Sequence, residues 1–229
     1  MKILLFDIDG TLILTGGAGM RGMNRAFEKV FGVKNALAGL TLSGMTDRII
    51  FKNACEKVKV PFSEASHDAF KKIYQGYLAE EIERPNATKR MLPGVQPLLE
   101  KLQESEAVKL GLLTGNYAQC AKIKLGHFGI DHYFEFGAYG DDDEDRNKLL
   151  PFAIERLKKR FALNGHARST WIIGDTPKDV YCARPHSAKA IAVATGDYNQ
   201  EELATARPDA IMQDLSDSEL FFGILKKDD

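Results

Sequence analysis

Near the start of the chain an apolar run is broken by two carboxylates, in the order Lys2-Ile3-Leu4-Leu5-Phe6-Asp7-Ile8-Asp9-Gly10-Thr11-Leu12. Ile3 to Phe6 read as a strand buried on both faces. Asp7 and Asp9, two residues apart on an extended chain, point to the same side. Like charges that close repel unless something positive sits between them, and a divalent cation is the simplest such group. Gly10 permits a sharp turn away from the sheet, and Thr11 adds a hydroxyl. Together these residues make a candidate centre for metal-assisted phosphoryl transfer. A bare Asp-x-Asp is more often an acidic turn, so the rest of the chain must supply the remaining parts.

The chain has 229 residues, enough for one large domain or a core with a modest second one. A formal net charge of -1 gives no electrostatic footprint for nucleic acid. Cys55, Cys120 and Cys182 lie far apart, as free thiols in a reducing cytosol would. The first apolar run is too short for a signal peptide, and no stretch has the length of a membrane span. A cytoplasmic monomer or small homo-oligomer is expected, with neither membrane nor nucleic acid as partner.

After the first strand, helical periodicity covers Met20 to Phe31, Asp47 to Val58 and Ser63 to Ile82. After Pro93-Gly94 strands and helices alternate. Strands are expected at Val108 to Leu113, Tyr133 to Phe136, Thr170 to Ile173, Ala190 to Ala194 and Ala210 to Met212. Helices are expected at Val95 to Gln103, Tyr117 to Phe128, Leu149 to Phe161, Lys178 to Arg184 and Asp217 to Leu225. This alternation predicts an α/β fold with a Rossmann-like, doubly wound parallel sheet. An all-helical insertion over residues 16–90 would divide a core of residues 1–15 and 91–229. Function should gather at the carboxyl edge of the sheet.

Two other strand ends carry polar groups, and a third segment offers candidate cations. Thr114-Gly115-Asn116 places a hydroxyl and helix-start N–H groups where a phosphate oxygen can bind, although Thr114 or Asn116 would serve equally as a helix cap. Gly174-Asp175-Thr176-Pro177-Lys178-Asp179 sets Asp175 directly after a strand and Asp179 one helical turn on. Magnesium prefers such oxygen ligands. Asp7, Asp175 and a main-chain carbonyl near Asp9 are a reasonable set, with Asp179 binding through water or orienting the others. The same string would also make an acidic helix start. A phosphate dianion beside these acids needs a fixed cation. Lys148, three residues before Pro151, is preferred, and Arg146 stays open as the alternative. Either would otherwise be a solvated surface charge.

These four segments, in this order and strand context, resemble the four signatures of the haloacid-dehalogenase-like superfamily. The helical insertion is similar to the cap of its phosphoglycolate-phosphatase-like and beta-phosphoglucomutase-like members. The resemblance implies a magnesium-dependent phosphatase for a small phosphorylated metabolite. Asp7 would be the nucleophile and Asp9 the general acid and base. Thr114, Gly10, Thr11, Gly115 and Asn116 would line the phosphate site, with Lys148 or Arg146 as its cation. Asp7, Asp9, Asp175 and Asp179 would form the metal set. The acid at position 9 argues for attack on phosphorus over attack on carbon, since family dehalogenases lack it. No Schiff-base lysine stands out in the insertion, although Lys52, Lys57 and Lys59 are not excluded individually. Gly16 to Gly19 would be a hinge, and Arg21, Arg25, Thr46, Asp47 and Arg48 are its polar candidates for substrate contact. A sugar phosphomutase would use the same core residues. A receiver or phospho-ligand-binding module, the alternative from another class, fits poorly because its acidic residue follows a middle strand.

Overall fold

The computed structural model describes residues 1–161 and 169–226. In chain order its elements are β1 (Lys2–Phe6), β2 (Ile13–Leu14), α1 (Ala18–Phe31), α2 (Asp47–Val58), α3 (Glu64–Glu83), β3 (Arg90–Met91), α4 (Val95–Gln103) and β4 (Val108–Leu113). There follow α5 (Ala118–His127), β5 (Phe136–Ala138), α6 (Leu149–Phe161), β6 (Ser169–Gly174), α7 (Pro177–Ala183), β7 (Lys189–Val193), α8 (Gln200–Thr205), β8 (Ala210–Met212) and α9 (Ser218–Lys226).

The main sheet is parallel throughout, in the order β5-β4-β1-β6-β7-β8. It is an α/β, Rossmann-like sheet, as the alternation of elements predicts. Its strands are buried on both faces, so successive residues enter different cores. Ile3 and Leu5 join Leu149, Ala153 and Leu157 of α6 on one side. Leu4 and Phe6 join Leu98 and Leu102 of α4, with Phe221 and Leu225 of α9, on the other. From β1 the chain fills positions on one side with β4 and β5, then crosses to β6 on the other. That reversal makes a topological switch point at the carboxyl end of β1. Register fixes its contents: Phe6 pairs with Leu112 and with Ile173, so Asp7, Thr114 and Asp175 leave the sheet at nearly one level.

The helical segment has its own core, in which Phe27, Phe51, Phe70 and Tyr74 cluster. The chain enters and leaves it through the antiparallel pair β2–β3, with Ile13 opposite Met91 and Leu14 opposite Arg90. Two-residue strands carry no readable periodicity, which is why the sequence does not disclose them.

Three further expectations are corrected. The strand expected over residues 133–136 begins at Phe136, because Asp131–Tyr133 form a 3-10 turn and β5 pairs only with the last residues of β4. Strand β1 ends at Phe6, so Asp7 and Asp9 lie beyond it and are placed by the following turn rather than by strand alternation. Helix α8 was not expected. Asn199 caps it, accepting from Glu202 N, while the Glu202 carboxylate takes the Asn199 N–H. Among the described residues no helix is long and apolar enough to cross a membrane.

Candidate active site

A cavity of about 470 Å³ opens at the switch point, between the sheet edge and the helical segment. Asp7, Asp9, Gly10, Thr114, Gly115, Asn116, Arg146 and Asp175 all line it.

The turn after β1 is built locally. Gly10 takes a φ of 80°, and the N–H groups of Thr11, Leu12 and Ile13 all donate to Ile8 O. A Cβ at Gly10 would come within 2.3 Å of an Asp175 carboxylate oxygen, so the glycine is required both by conformation and by space. Thr11 is fully buried and donates to Asp175 Oδ1 at 2.9 Å. It therefore orients a carboxylate, and its side chain is not among the cavity walls.

Asp7, Asp175 and Asp179 bring carboxylate oxygens within 4.8 Å of one another, all buried. Asp179 also serves its helix, as the sequence allowed: its Oδ2 accepts from Thr176 N at 3.0 Å and Thr176 Oγ1 at 2.7 Å. Burial pushes the Asp7 carboxyl up to about 6, against the lowering pull of Arg146. Burial, then the charges of Asp179 and Asp7, pushes Asp175 well above the usual carboxylate range. Three hard oxygen donors packed together in a buried cluster are the chemistry a divalent cation satisfies.

The two candidate cations part company here. Arg146 is buried, its Nη2 3.2 Å from Asp7 Oδ2 and hydrogen-bonded to Asp179 Oδ1. Lys148 is 64% exposed and turns to Asp143, 3.7 Å away. The preference for Lys148 is thus corrected. The two residues share a single 3-10 turn, Arg146–Lys148, and its geometry sends one inward and the other out.

Thr114 Oγ1 accepts from Asn116 Nδ2 at 2.8 Å, and Asn116 Nδ2 also reaches Asp9 Oδ2 at 2.9 Å. Lys124, which the sequence reading did not single out, is buried under Asp9. Its Nζ donates to Asp9 Oδ2 and to Asn116 Oδ1, both at 2.6 Å. A lysine two turns into a helix reads as solvated, and no local signal marks it. Thr195 and Gly196 were missed likewise. Thr195 Oγ1 donates to Gly10 O at 2.6 Å, and a Cβ at Gly196 would lie 1.8 Å from Asp175 Oδ2.

Of the polar candidates in the helical segment, Asp47 alone lines the cavity. Arg21 and Arg25 pair with Glu81, while Arg48 pairs with Glu64 and Glu144. Thr46 Oγ1 accepts from Ile49 N and donates to Glu144 O. Lys52 pairs with Glu144, and Lys57 bonds the Ala38 carbonyl. Asp47 Oδ2 accepts from Tyr117 N at 2.8 Å, and Asp47 N donates to Gly115 O at 2.8 Å, so the helical segment is latched to the start of α5. The close approach needs Gly115, where a Cβ would stand 2.0 Å from Met45 O.

Burial pushes Asp47 up to about 7. A raised carboxyl contributes stability that is complete below its unfolded pKa, near 4, and that is lost as pH rises to about 7. Asp47→Asn should therefore gain stability relative to wild type between pH 4 and 7 and hold that gain above. Denaturant melts at stepped pH check this, and a pH-independent difference would contradict it.

A parallel sheet with an Asp-x-Asp turn at its switch point, a threonine at the neighbouring strand end and an acidic pair beyond defines a class of hydrolase. The family model described as haloacid dehalogenase-like hydrolase matches residues 4–193, and the chain belongs to that family. It is similar to pyrophosphatase PpaX of Anoxybacillus flavithermus, 25% identical over 235 residues that cover 99% of each chain. It is also similar to the phosphoglycolate phosphatase of Nitrosococcus oceani, 23% identical with 93% of each covered. The crystal structure of a predicted phosphoglycolate phosphatase from Haemophilus somnus superposes with a TM-score of 0.69 at 22% identity, over 97% of this chain and 98% of that one.

Proposed function

We propose that the protein hydrolyses a small phosphate monoester through an aspartyl-phosphate on Asp7. The observation that carries this reading is the convergence of Asp7, Asp9, Thr114 and Arg146 on one cavity beside three clustered carboxylates. A carboxylate oxygen of Asp7 attacks phosphorus as the bond to the ester oxygen breaks. Asp9 gives its proton to that oxygen, and the alcohol leaves. Asp9 then takes a proton from the water that attacks phosphorus, which frees inorganic phosphate and restores Asp7. Arg146, Thr114 and the backbone N–H groups from Gly115 to Asn116 balance charge on the transferring group. Asp7, Asp175 and the main chain at Asp9, with Asp179 behind them, would hold a magnesium ion. Such an ion would supply Lewis-acid stabilisation to the phosphoryl oxygens.

The helical segment, residues 16–90, acts in this reading as a cap over a core of residues 1–15 and 91–229. It excludes water from the intermediate and selects the leaving group. A phosphoester panel with and without magnesium tests the reading, with phosphoglycolate, hexose phosphates, nucleoside monophosphates, an aryl phosphate and pyrophosphate as substrates. Turnover indifferent to chelation would sink the metal assignment, and no turnover at all would sink the reading.

Magnesium binding has its own signature. At a hundredfold excess over Kd, an ion that binds only the folded state adds about 2.7 kcal/mol. For a chain of this size that is roughly 5–10 °C in Tm. The rise should be accompanied by proton release below pH 7, because raised carboxyls must ionise to bind. Asp175→Asn should abolish both. An unchanged rise in that variant would place the ion elsewhere.

A further inference from the structure

The cavity extends beyond Asp9 toward α1 and α3, where two hydrogen-bond donors meet. Tyr74 is fully buried on α3 and lines the cavity, and its Oη has no partner among the described residues. A buried, unbonded hydroxyl is costly and is kept where something uses it. Lys124 approaches the same place from α5. Two of its three N–H groups are given to Asp9 and Asn116, which leaves one. Lys124 Nζ and Tyr74 Oη each lie 3.5 Å from the point a methyl group on Gly19 would occupy. Gly19, in the first turn of α1, keeps open the space between the two donors.

We propose that Tyr74 Oη, the remaining N–H of Lys124 and the space beside Gly19 form a subsite for an uncharged oxygen of the leaving group. That oxygen would be a hydroxyl, carbonyl or ether on a short, largely apolar alcohol. The inference rests on the phosphatase reading and names the substrate class within it. Two features set the charge and polarity of the group. The helical segment gives the cavity the apolar side chains of Met20, Met23, Leu42, Met45 and Ile50, beside the carboxylate of Asp47. The charge of Lys124 is already engaged by Asp9 and by the nearby Asp47, and the other cation on that wall, Arg90, is exposed to solvent. A second phosphate, as in inorganic pyrophosphate, would enter beside the carboxylates of Asp9 and Asp47, with the buried Lys124 already paired to Asp9. A neutral acceptor needs only the two donors.

The test compares kcat/KM for paired esters: ethyl with 2-hydroxyethyl phosphate, and propyl with 3-hydroxypropyl phosphate, alongside pyrophosphate. Wild type should prefer the hydroxylated member of at least one pair by about tenfold or more, since a buried donor left unpaired penalises the analogue without the oxygen. Tyr74→Phe should bring that ratio toward one while raising Tm by about 2–4 °C, because the unpartnered hydroxyl is removed. Gly19→Ala places its methyl at ordinary contact distance from its neighbours, so it folds, and it should lower the same ratio by filling the subsite. Ratios unchanged in both variants, or pyrophosphate hydrolysed faster than every ester, would overturn the subsite and leave the phosphatase reading standing. A wild type inactive on every compound with magnesium present would overturn both.

Discussion

Asp7→Asn should abolish phosphoester turnover, lowering kcat by about four orders of magnitude or more, in a protein that remains folded. The amide has nearly the shape of the carboxylate but is no nucleophile. Stability should move the other way. Burial holds the Asp7 carboxyl up at about 6, so the folded chain binds its proton more tightly than the unfolded chain does. The stability this proton confers is complete below pH 4 and lost as pH rises through about 6. Wild type forfeits it there and the amide does not. Relative to wild type, Asp7→Asn should therefore gain stability between pH 4 and 6 in the absence of metal, keeping its gain at higher pH. The attraction of Arg146 for the Asp7 carboxylate limits that gain without reversing it, because burial is the larger influence. Single-turnover assays and melts from pH 4 to 8 measure the two effects. A folded Asp7→Asn protein with substantial turnover would remove Asp7 from the nucleophile's role.

The second large effect separates two cations that stand two residues apart. Arg146 lies buried between Asp7 and Asp179, with Asp175 in the same cluster. Arg146→Met leaves those carboxylates without their fixed countercharge, and stranding buried charge costs about 3–5 kcal/mol. The melting temperature should fall by roughly 10 °C, and kcat should drop about 10²- to 10³-fold with the loss of a donor to the phosphoryl group. Lys148→Met should do neither. Its ammonium is exposed and 3.7 Å from Asp143, so a change within about 0.5 kcal/mol is expected. Equal effects from both variants, or a larger one from Lys148→Met, would contradict the assignment of Arg146 as the site cation.

Much of the architecture was legible because it is encoded over short distances. The buried strand before Asp7, the glycine at the turn and the helical periodicity over Asp47 to Val58 are properties of neighbouring residues. Gly174-Asp175-Thr176-Pro177-Lys178-Asp179 is similar: Asp179 lies at the third position of its own helix and folds back on Thr176 whatever surrounds it. Short pairings such as β2–β3 were not legible, because two residues carry no period and their partners lie far along the chain.

By itself, then, the sequence determined the parallel α/β core and the three strand ends from which Asp7, Thr114 and Asp175 emerge, because backbone preference and period are local. Tertiary structure decided which charges those residues meet. Arg146 and Lys148 are equivalent in one dimension, and only the packing of their turn against the sheet turns Arg146 toward Asp7. Lys124 and Tyr74 look like ordinary mid-helix residues until α3, α5 and α1 close around the cavity and desolvate them. Burial and charge pairing arise from contacts between distant segments, and a linear pattern does not carry them.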